Sequence, residues 1–268
     1  MEAYKAMKIT VLAENTPFSD EFNTEHGLSL YIETEKHKIL FDTGQTELFA
    51  ENAEKLGIDL RDVDFAVISH GHYDHSGGLK KFLELNTSAP VYLSSHAFEP
   101  HYSGLEKYIG MDTSLEKNER LIFTDNFLKI DDDLMLFSCN DKEKLFPLDS
   151  AGLYMKSGDE LSPDNFIHEQ YLMITENGRN ILISGCSHKG ILNIAHWFSP
   201  DVLIGGFHFM KLDVDTTDCE KLESSAKILE NTGIDFYTCH CTGTAQYEFL
   251  KKHINKLHYI SCGQEITI

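Results

Sequence analysis

Short runs of apolar residues recur along the first third of the chain and predict strands. Residues 8–15 (KITVLAEN) alternate between apolar and polar positions, and residues 28–44 (LSLYIETEKHKILFDTG) contain two such runs joined at TEKHK. The second pattern is typical of a hairpin. Continuous apolar runs at 64–70 (DFAVISH) and 90–96 (PVYLSSH) predict strands that are buried on both faces.

Helical periodicity lies between these strands. In the segment TELFAENAEKLGI, Leu48, Ala53 and Leu56 are spaced to share one helix face, and Gly57 is a typical stop signal. Residues 77–86 (GGLKKFLELN) predict a second helix that follows the buried strand.

The second half of the chain repeats this order. Residues 169–188 (EQYLMITENGRNILISGCSH) predict two strands across an Asn-Gly turn. The later segments predict a helix at 189–198, a strand at 201–209, a helix at 219–233 and strands at 235–243 and 257–268. The chain therefore contains two halves of strands and helices, each of which delivers polar loops from its strand ends.

The middle segment, about 98–162, has no clear period. Charged and turn residues interrupt its apolar runs, as in MDTSLEKNERL and TDNFLKIDDDLMLFS. We interpret residues 1–268 as one domain in which 98–162 is an insertion or cap over one side. Such a segment could serve as a lid, as a substrate-selecting element or as a peripheral cover.

Composition and charge narrow the class of partner. The 268 residues are 41% hydrophobic, which is enough for a substantial core, and the formal net charge is −20. That charge argues against nucleic-acid binding, which needs clustered Lys and Arg. It leaves room for a small anionic substrate, because a bound metal inverts the local charge.

Neither an export signal nor a membrane-spanning run is apparent in the sequence. The start, MEAYKAMKIT, has no long apolar stretch, and no segment reaches the roughly 20 apolar residues that span a bilayer. The six cysteines do not form the dense framework of a small secreted domain. We therefore expect reduced thiols, a cytoplasmic location and no contact with a membrane.

The strongest chemical signal is the loop SHGHYDHSGG at 69–78. His70 and His72 are two positions apart, so both side chains can face one way on an extended segment. Asp74 and His75 follow in a turn and can face a neighbouring position. Imidazole and carboxylate are ligands of first-row metals, so this one loop could supply two ligands to each of two ions.

This loop resembles the metal-binding signature of the metallo-β-lactamase superfamily, and the segment ILFDTG resembles the strand and turn that precede it there. The resemblance implies an α/β fold, a four-layer αβ/βα sandwich, with one or two metals at one edge. It also implies that Asp42 holds the metal loop through hydrogen bonds. The alternative is that Asp42 is simply a turn residue beside Gly44.

The remaining ligands depart from the usual family pattern. His168 stands where the family has a histidine, but the position of its bridging aspartate is occupied by Cys186. The segments DNFIHEQYL, SGCSHKGILNI, IGGFHF and CHCTG resemble a narrower branch, which includes an archaeal dihydropterin-type synthase. That resemblance implies His188 as the third ligand of the first metal and His240 as the far ligand of the second.

Several side chains keep two interpretations. Cys186 could bind or bridge metal as a thiolate, or could be a packed free thiol. His168 is either a reserve ligand or a hydrogen-bonding support, and His208 either faces the substrate or lies in the core. Alternation along a strand would turn Cys239 and Cys241 away from the metal. The histidines expected near the rim of the site are His26, His96 and His101.

We expect two divalent metal ions, with zinc favoured and manganese or iron as alternatives. The resemblance makes a hydrolase the leading hypothesis, acting on a small phosphoester, thioester or lactone through a metal-activated water, with Asp74 also accepting a proton. The alternative is a pterin-type transferase, for which Tyr102, Trp197, Phe207 or Phe209 could stack on the ring. A redox or sensing protein is less favoured, since no flavodoxin-like segment follows, and no GxSxG elbow supports a serine hydrolase.

Overall fold

A computed structural model describes residues 6–216 and 218–268 of the chain. Its helices are α1 (Leu48–Lys55), α2 (Tyr73–Ser76), α3 (Leu79–Leu85), α4 (Ile191–Phe198), α5 (Asp218–Glu230) and α6 (Thr244–Leu250). Its strands are β1 (Lys8–Ala13), β2 (Ser29–Glu33), β3 (Lys38–Phe41), β4 (Phe65–Val67), β5 (Val91–Ser94), β6 (His101–Ser103), β7 (Lys107–Tyr108), β8 (Leu121–Thr124), β9 (Phe127–Lys129), β10 (Leu134–Phe137), β11 (Leu153–Ser157), β12 (Glu160–Pro163), β13 (Tyr171–Glu176), β14 (Arg179–Ile183), β15 (Val202–Ile204), β16 (Asp235–Thr238), β17 (Leu257–Tyr259) and β18 (Glu265–Thr267).

Two seven-stranded mixed sheets carry the fold. The strand order is β18-β1-β2-β3-β4-β5-β8 in the first sheet and β17-β16-β15-β14-β13-β10-β9 in the second. The two predicted hairpins are confirmed, because β2 pairs antiparallel with β3 and β13 pairs antiparallel with β14. In the second hairpin, Asn177 and Gly178 have φ values of 52° and 76°, as the tight Asn-Gly turn requires.

Three apolar clusters divide the molecule into four layers. One cluster lies between the two sheets and includes Ile9, Ile32, Ile174 and Ile204. The outer face of the first sheet packs on α1 and α3, and the outer face of the second packs on α4, α5 and α6. The predicted four-layer αβ/βα sandwich is therefore confirmed.

The sequence periodicity explains how the helices dock. In α1 the buried residues are Leu48, Phe49, Asn52 and Ala53, which fall on one face at helical spacing. Gly57 follows the helix with a φ of 71°, a conformation that a β-carbon would strain. As the pattern predicted, one face of the helix is buried and Gly57 follows its C-terminal end.

The middle segment is not one inserted unit, which corrects the expectation for 98–162. Strands β6, β7, β11 and β12 do form a separate four-stranded sheet. Strand β8, however, is the edge of the first sheet, and β9 and β10 form the edge of the second. The sequence hid this arrangement because edge strands expose alternate residues and so lack a continuous apolar run.

The tail also differs from the single strand that its sequence predicts. Residues Leu257–Tyr259 belong to the second sheet, whereas Glu265–Thr267 pair with β1 in the first. Gly263, with a φ of 89°, lies in the crossing between them. The chain terminus therefore ties the two sheets together.

The polar loops collect at one edge of the sandwich. Asp42 follows β3, the histidine loop follows β4, Cys186 and His188 follow β14, and His240 follows β16. Because β3 and β4 are parallel, as are β14, β15 and β16, their carboxyl ends point to the same side. Among the described residues, no helix is both long and apolar enough to cross a bilayer.

Candidate metal centre

Asp42 fixes the histidine loop at two points. One carboxylate oxygen of Asp42 accepts a hydrogen bond from the backbone N–H of Ser69 (2.7 Å), and the other accepts one from the Ser69 hydroxyl (2.7 Å). The second oxygen also lies 2.6 Å from Nδ1 of His75. Asp42 itself has a φ of 59° beside Gly44. It is therefore both the turn residue and the carboxylate that orients the loop.

Close backbone approach explains the glycines of this loop. A β-carbon at Gly71 would lie 2.1 Å from the carbonyl oxygen of Ala97, and one at Gly77 would lie 2.0 Å from that of Gln45. Both distances are far below van der Waals contact with backbone atoms that cannot move aside. Any side chain at these positions would displace the loop and its histidines.

The first ligand group consists of His70, His72 and His188. One potential ligand atom of each lies within 4.8 Å of the others, and Nε2 of His70 is 3.3 Å from Nε2 of His188. Burial holds the pKa of each of the three imidazoles well below its usual range, so all three are neutral. Nε2 of His72 and Nδ1 of His188 are buried without a hydrogen-bond partner among the described residues. This donor set fits a divalent cation.

The second ligand group surrounds Asp74. Its Oδ2 lies 3.4 Å from Nε2 of His240, 3.4 Å from Nε2 of His26 and 3.8 Å from Nε2 of His75. Burial alone would raise the pKa of Asp74, but the neighbouring imidazoles outweigh it and hold that pKa well below its usual range. Nε2 of His75 is also 3.1 Å from Sγ of Cys186, and one potential ligand atom of each of His70, His75 and Cys186 lies within 4.8 Å of the others, so this thiol lies between the two groups.

The backbone and ring of His240 are held from the first strand. Its N–H donates to the carboxylate of Glu14 (2.6 Å), and its Nδ1 lies 2.8 Å from Oδ1 of Asn15. An amide oxygen can only accept, so Nδ1 carries the proton and Nε2 presents a lone pair towards Asp74. That tautomer is the one a metal ligand needs.

His168 turns away from the first group. Its Nδ1 accepts a hydrogen bond from the N–H of Gly71 (2.9 Å), and its Nε2 lies 3.5 Å from Oδ2 of Asp164. The same carboxylate oxygen is 2.8 Å from Nδ1 of His101. His101, Asp164 and His168 thus form a buried cluster next to His72, with one potential ligand atom of each of the four within 4.8 Å. His101 was expected at the rim and is instead fully buried.

Two buried charged residues hold the loop that carries His188. The carboxylate of Glu169 accepts hydrogen bonds from the N–H groups of His188 (2.7 Å) and Lys189 (3.0 Å), and from the hydroxyl of Tyr171 (2.6 Å). The ammonium of Lys189 donates to the carbonyl oxygens of Ser138 (2.6 Å) and Glu169 (2.9 Å). Burial lowers the pKa of Lys189 to about 8. Neither role is indicated by a periodic pattern in the sequence.

A cavity of about 200 Å³ opens onto both ligand groups. Its lining includes His72, Asp74, Cys186, His188 and His240. Other side chains that line it include His26, Tyr73, Lys107, His208, Lys211 and Cys241. A pocket that joins buried titratable groups to solvent is the feature expected of an active site.

The lining of this cavity can be compared with the side chains that the sequence predicted to lie near the substrate or away from the metal. His208 and His26 line it, and the rings of His208 and His188 are 4.3 Å apart. His96 does not line it and pairs with Glu99 instead. Cys241 lines it although alternation predicted otherwise, because β16 ends at Thr238 and residues His240–Thr242 form a 3₁₀ turn. Tyr102, Trp197, Phe207 and Phe209 lie outside the lining.

Comparisons with known proteins identify the family of this chain. Residues 23–146 match the family model described as the metallo-β-lactamase superfamily. A synthase of Methanocaldococcus jannaschii, 7,8-dihydropterin-6-methyl-4-(β-D-ribofuranosyl)-aminobenzene-5′-phosphate synthase, is 30% identical over 94% of this chain and 94% of its own length. The structure of Tm1679, a metal-dependent hydrolase of the β-lactamase superfamily, is 30% identical and superposes with a TM-score of 0.79, covering 98% of this chain and 99% of that chain.

A diphosphatase of the PhnP family superposes with a TM-score of 0.54 at 13% identity, covering 98% of each chain, which reflects a shared fold. The full-length likeness to the synthase and to Tm1679 carries more weight, because it extends over both sheets and all the loops of the candidate centre. The chain belongs to the metallo-β-lactamase superfamily.

Proposed function

We propose that this protein is a metal-dependent hydrolase that acts on a small phosphorylated compound at the cavity described above. The observation that carries the proposal is the composition of that single cavity. It joins two buried groups of metal-type ligands to the ammonium groups of Lys107 and Lys211. Cations on the wall of a pocket in a chain of net charge −20 favour an anionic substrate at that place.

We assign the first position to His70, His72 and His188, and the second to Asp74, His75 and His240. Cys186 contributes to the second position through its contact with His75. Imidazole and thiolate donors suit zinc, which is the metal we expect, whereas a site that favoured manganese would be richer in oxygen ligands. Iron remains the alternative for the same nitrogen donors.

The protein's own groups bind and orient the substrate. Divalent metals, when bound, lower the pKa of water and polarise a phosphoryl oxygen. Lys107 and Lys211 attract the anionic group, and His208 contacts the ring of His188 from the substrate side. Asp74 is ionised and accepts hydrogen bonds, and half-exposed His26 lies next to it on the wall of the cavity.

The size of the cavity supports a small substrate. Its volume of about 200 Å³ is below the range of roughly 300–1,000 Å³ that is usual for pockets which enclose a drug-sized ligand. One phosphoryl group with a short substituent fits such a space. Two large co-substrates together would not fit within it.

The first test is turnover of generic phosphate esters by zinc-loaded protein. We expect hydrolysis of an aryl phosphate or phosphodiester, with KM raised about tenfold in Lys107→Ala and in Lys211→Ala, since each removes one attraction for the anion. Lys252→Ala is the matched control, because Lys252 is exposed and does not line the cavity. Equal KM values in all four proteins would contradict the assignment of an anion subsite.

A second candidate function, a pterin-type transferase, is favoured by the likeness to the M. jannaschii synthase. A transferase has to exclude water from its pocket, because water competes with the intended acceptor. Complete inertness of the fully metallated protein towards phosphoester, thioester and lactone substrates, together with tight binding of a pterin, would favour the transferase over the hydrolase.

The buried cluster behind His72 gives a prediction about metal affinity. Asp164→Asn is expected to weaken zinc binding at the first position by about 10- to 100-fold, because Asp164 holds the rings of His101 and His168, which pack against the ring of His72. Competition with a chromophoric chelator measures the affinity. Glu99→Gln is the control, since it removes an equivalent carboxylate from exposed His96. An unchanged affinity in Asp164→Asn would refute this role.

A further inference from the structure

A second, smaller cavity lies beside the proposed metal pocket. Its volume is about 120 Å³, and it shares His188, His208 and Lys211 with the larger cavity. Its apolar lining includes Phe146, Ile191, Leu192, Phe207, Phe209 and Leu212. The imidazoles of His188 and His208 therefore form a common wall, with the ligand groups on one side and an apolar cleft on the other.

The outer wall of this cleft, residues 146–151, is fastened to the body of the fold. The amide of Asn193 in α4 accepts a hydrogen bond from the N–H of Phe146 (2.9 Å) and donates one to its carbonyl oxygen (3.0 Å). Lys211 donates to the carbonyl oxygen of Ala151 (2.9 Å). Lys221 pairs with Asp149 at 3.1 Å. These contacts from three elements make the cleft preformed, so a ligand would not have to order the wall on binding.

Several polar groups at the cleft are already engaged. The hydroxyl of Ser187 is 2.8 Å from that of Ser184, and Lys221 and Asp149 pair with each other. Apolar side chains make up much of the remaining lining, so a polar ligand would lose hydration there without replacement. The cleft therefore suits an apolar group.

The volume limits that group to about one six-membered ring. An apolar protein cavity of about 150 Å³ is known to hold benzene, and 120 Å³ is slightly smaller. A fused two-ring system would exceed the space. The cleft adjoins the metal pocket at His188, His208 and Lys211, so a ring in it could be covalently linked to an anionic group in that pocket.

We propose that the substrate carries a phenyl-sized apolar group, which enters this cleft past His188 and His208 while its phosphoryl group faces the metal ligands. This inference rests on the proposed function, and it adds a determinant of specificity. Leu192 and Leu212 both line the cleft, so a larger side chain at either position would take up space in it. The enzyme would accordingly prefer aryl over alkyl phosphoesters.

The test compares phenylphosphonate with methylphosphonate, which contain no ester bond to hydrolyse. Calorimetric titration of the zinc-loaded protein is expected to give at least about tenfold tighter binding of the phenyl compound, since burial of one ring removes on the order of 100 Å² of apolar surface from water. Leu192→Trp, which fills the cleft, should reduce this preference to less than about twofold. Leu212→Trp is a second cleft-filling variant. It provides an independent measurement of the phenyl preference if Leu192→Trp folds poorly.

Ile228→Trp is the matched control, because Ile228 is an exposed apolar residue of α5 outside the cleft. It should keep the full preference for the phenyl compound. Equal affinities of wild-type protein for the two phosphonates would overturn this inference and leave the proposed function intact. Binding of neither phosphonate would overturn both. A phenyl preference that persists in both cleft-filling variants would show that the ring binds elsewhere.

Discussion

Replacement of His70 or His72 by alanine is expected to remove the metal at the first position and to abolish activity, while the chain stays folded. In the proposed assignment each imidazole supplies one of three protein ligands of the first metal, and loss of a group that stabilises developing charge costs at least about 10²–10³ in rate. The fold should survive because Asp42 and close-packed Gly71 and Gly77 position the loop independently of the two rings.

Mass spectrometry measures the metal content of each variant, and the midpoint of thermal unfolding shows whether the fold is retained. His253→Ala, an exposed histidine at the end of α6, is the matched control and should retain both metal ions. The assignment of the loop would be wrong if both His70→Ala and His72→Ala kept the metal content of the wild-type protein.

The second large effect is expected at His188. His188→Ala should lose the first metal and most of the activity, because its Nε2 lies 3.3 Å from that of His70 and it completes the group with His72. His168→Ala should keep the stoichiometry, since Nδ1 of His168 is already bonded to the Gly71 N–H and its Nε2 faces Asp164. Metal content after dialysis against zinc-free buffer distinguishes the two variants.

Cys186→Ser completes the comparison. The thiol lies against His75, so its replacement should weaken the second position and leave the first intact. Cobalt-substituted protein provides a readout that does not depend on activity, because a thiolate ligand gives a charge-transfer band in the near ultraviolet. Loss of the first metal in Cys186→Ser or in His168→Ala, with retention in His188→Ala, would contradict the ligand assignment.

The local part of the site could be predicted from sequence because its residues are close together in the chain. The spacing of His70, His72, Asp74 and His75 determines which side chains face the same way, whatever lies around them. The sequence left Asp42 with two interpretations, a turn residue or a carboxylate that holds the loop. The structure combines both roles, since the φ of 59° at Asp42 directs its carboxylate towards Ser69 and His75.

Long-range contacts account for what the sequence could not predict. His101 and Asp164 are 63 positions apart, yet their side chains lie 2.8 Å from each other, and no periodic pattern encodes such a pair. Asp164 did carry one signal, its place in the segment DNFIHEQYL. The predicted direction of the Cys241 side chain was wrong, because the two-residue alternation of a strand does not extend into a 3₁₀ turn, where the period is three.

Edge strands and buried charged residues were the other features that the sequence patterns did not predict. Strands β8, β9 and β10 have mixed burial patterns, so they were assigned to an insertion although they belong to the two main sheets. Lys189 is a charged residue in a polar motif, and sequence rules predict exposure for it. Its burial depends on the carbonyl oxygens of Ser138 and Glu169, which only the folded chain brings together.

The most direct test of the central claim is anomalous diffraction at the zinc absorption edge from crystals of zinc-loaded protein. We expect two peaks of anomalous density in the larger cavity. One should be bound by His70, His72 and His188, and the other by Asp74, His75 and His240. A peak bound by His168 with His188 left free, or no peak at either ligand group, would contradict it.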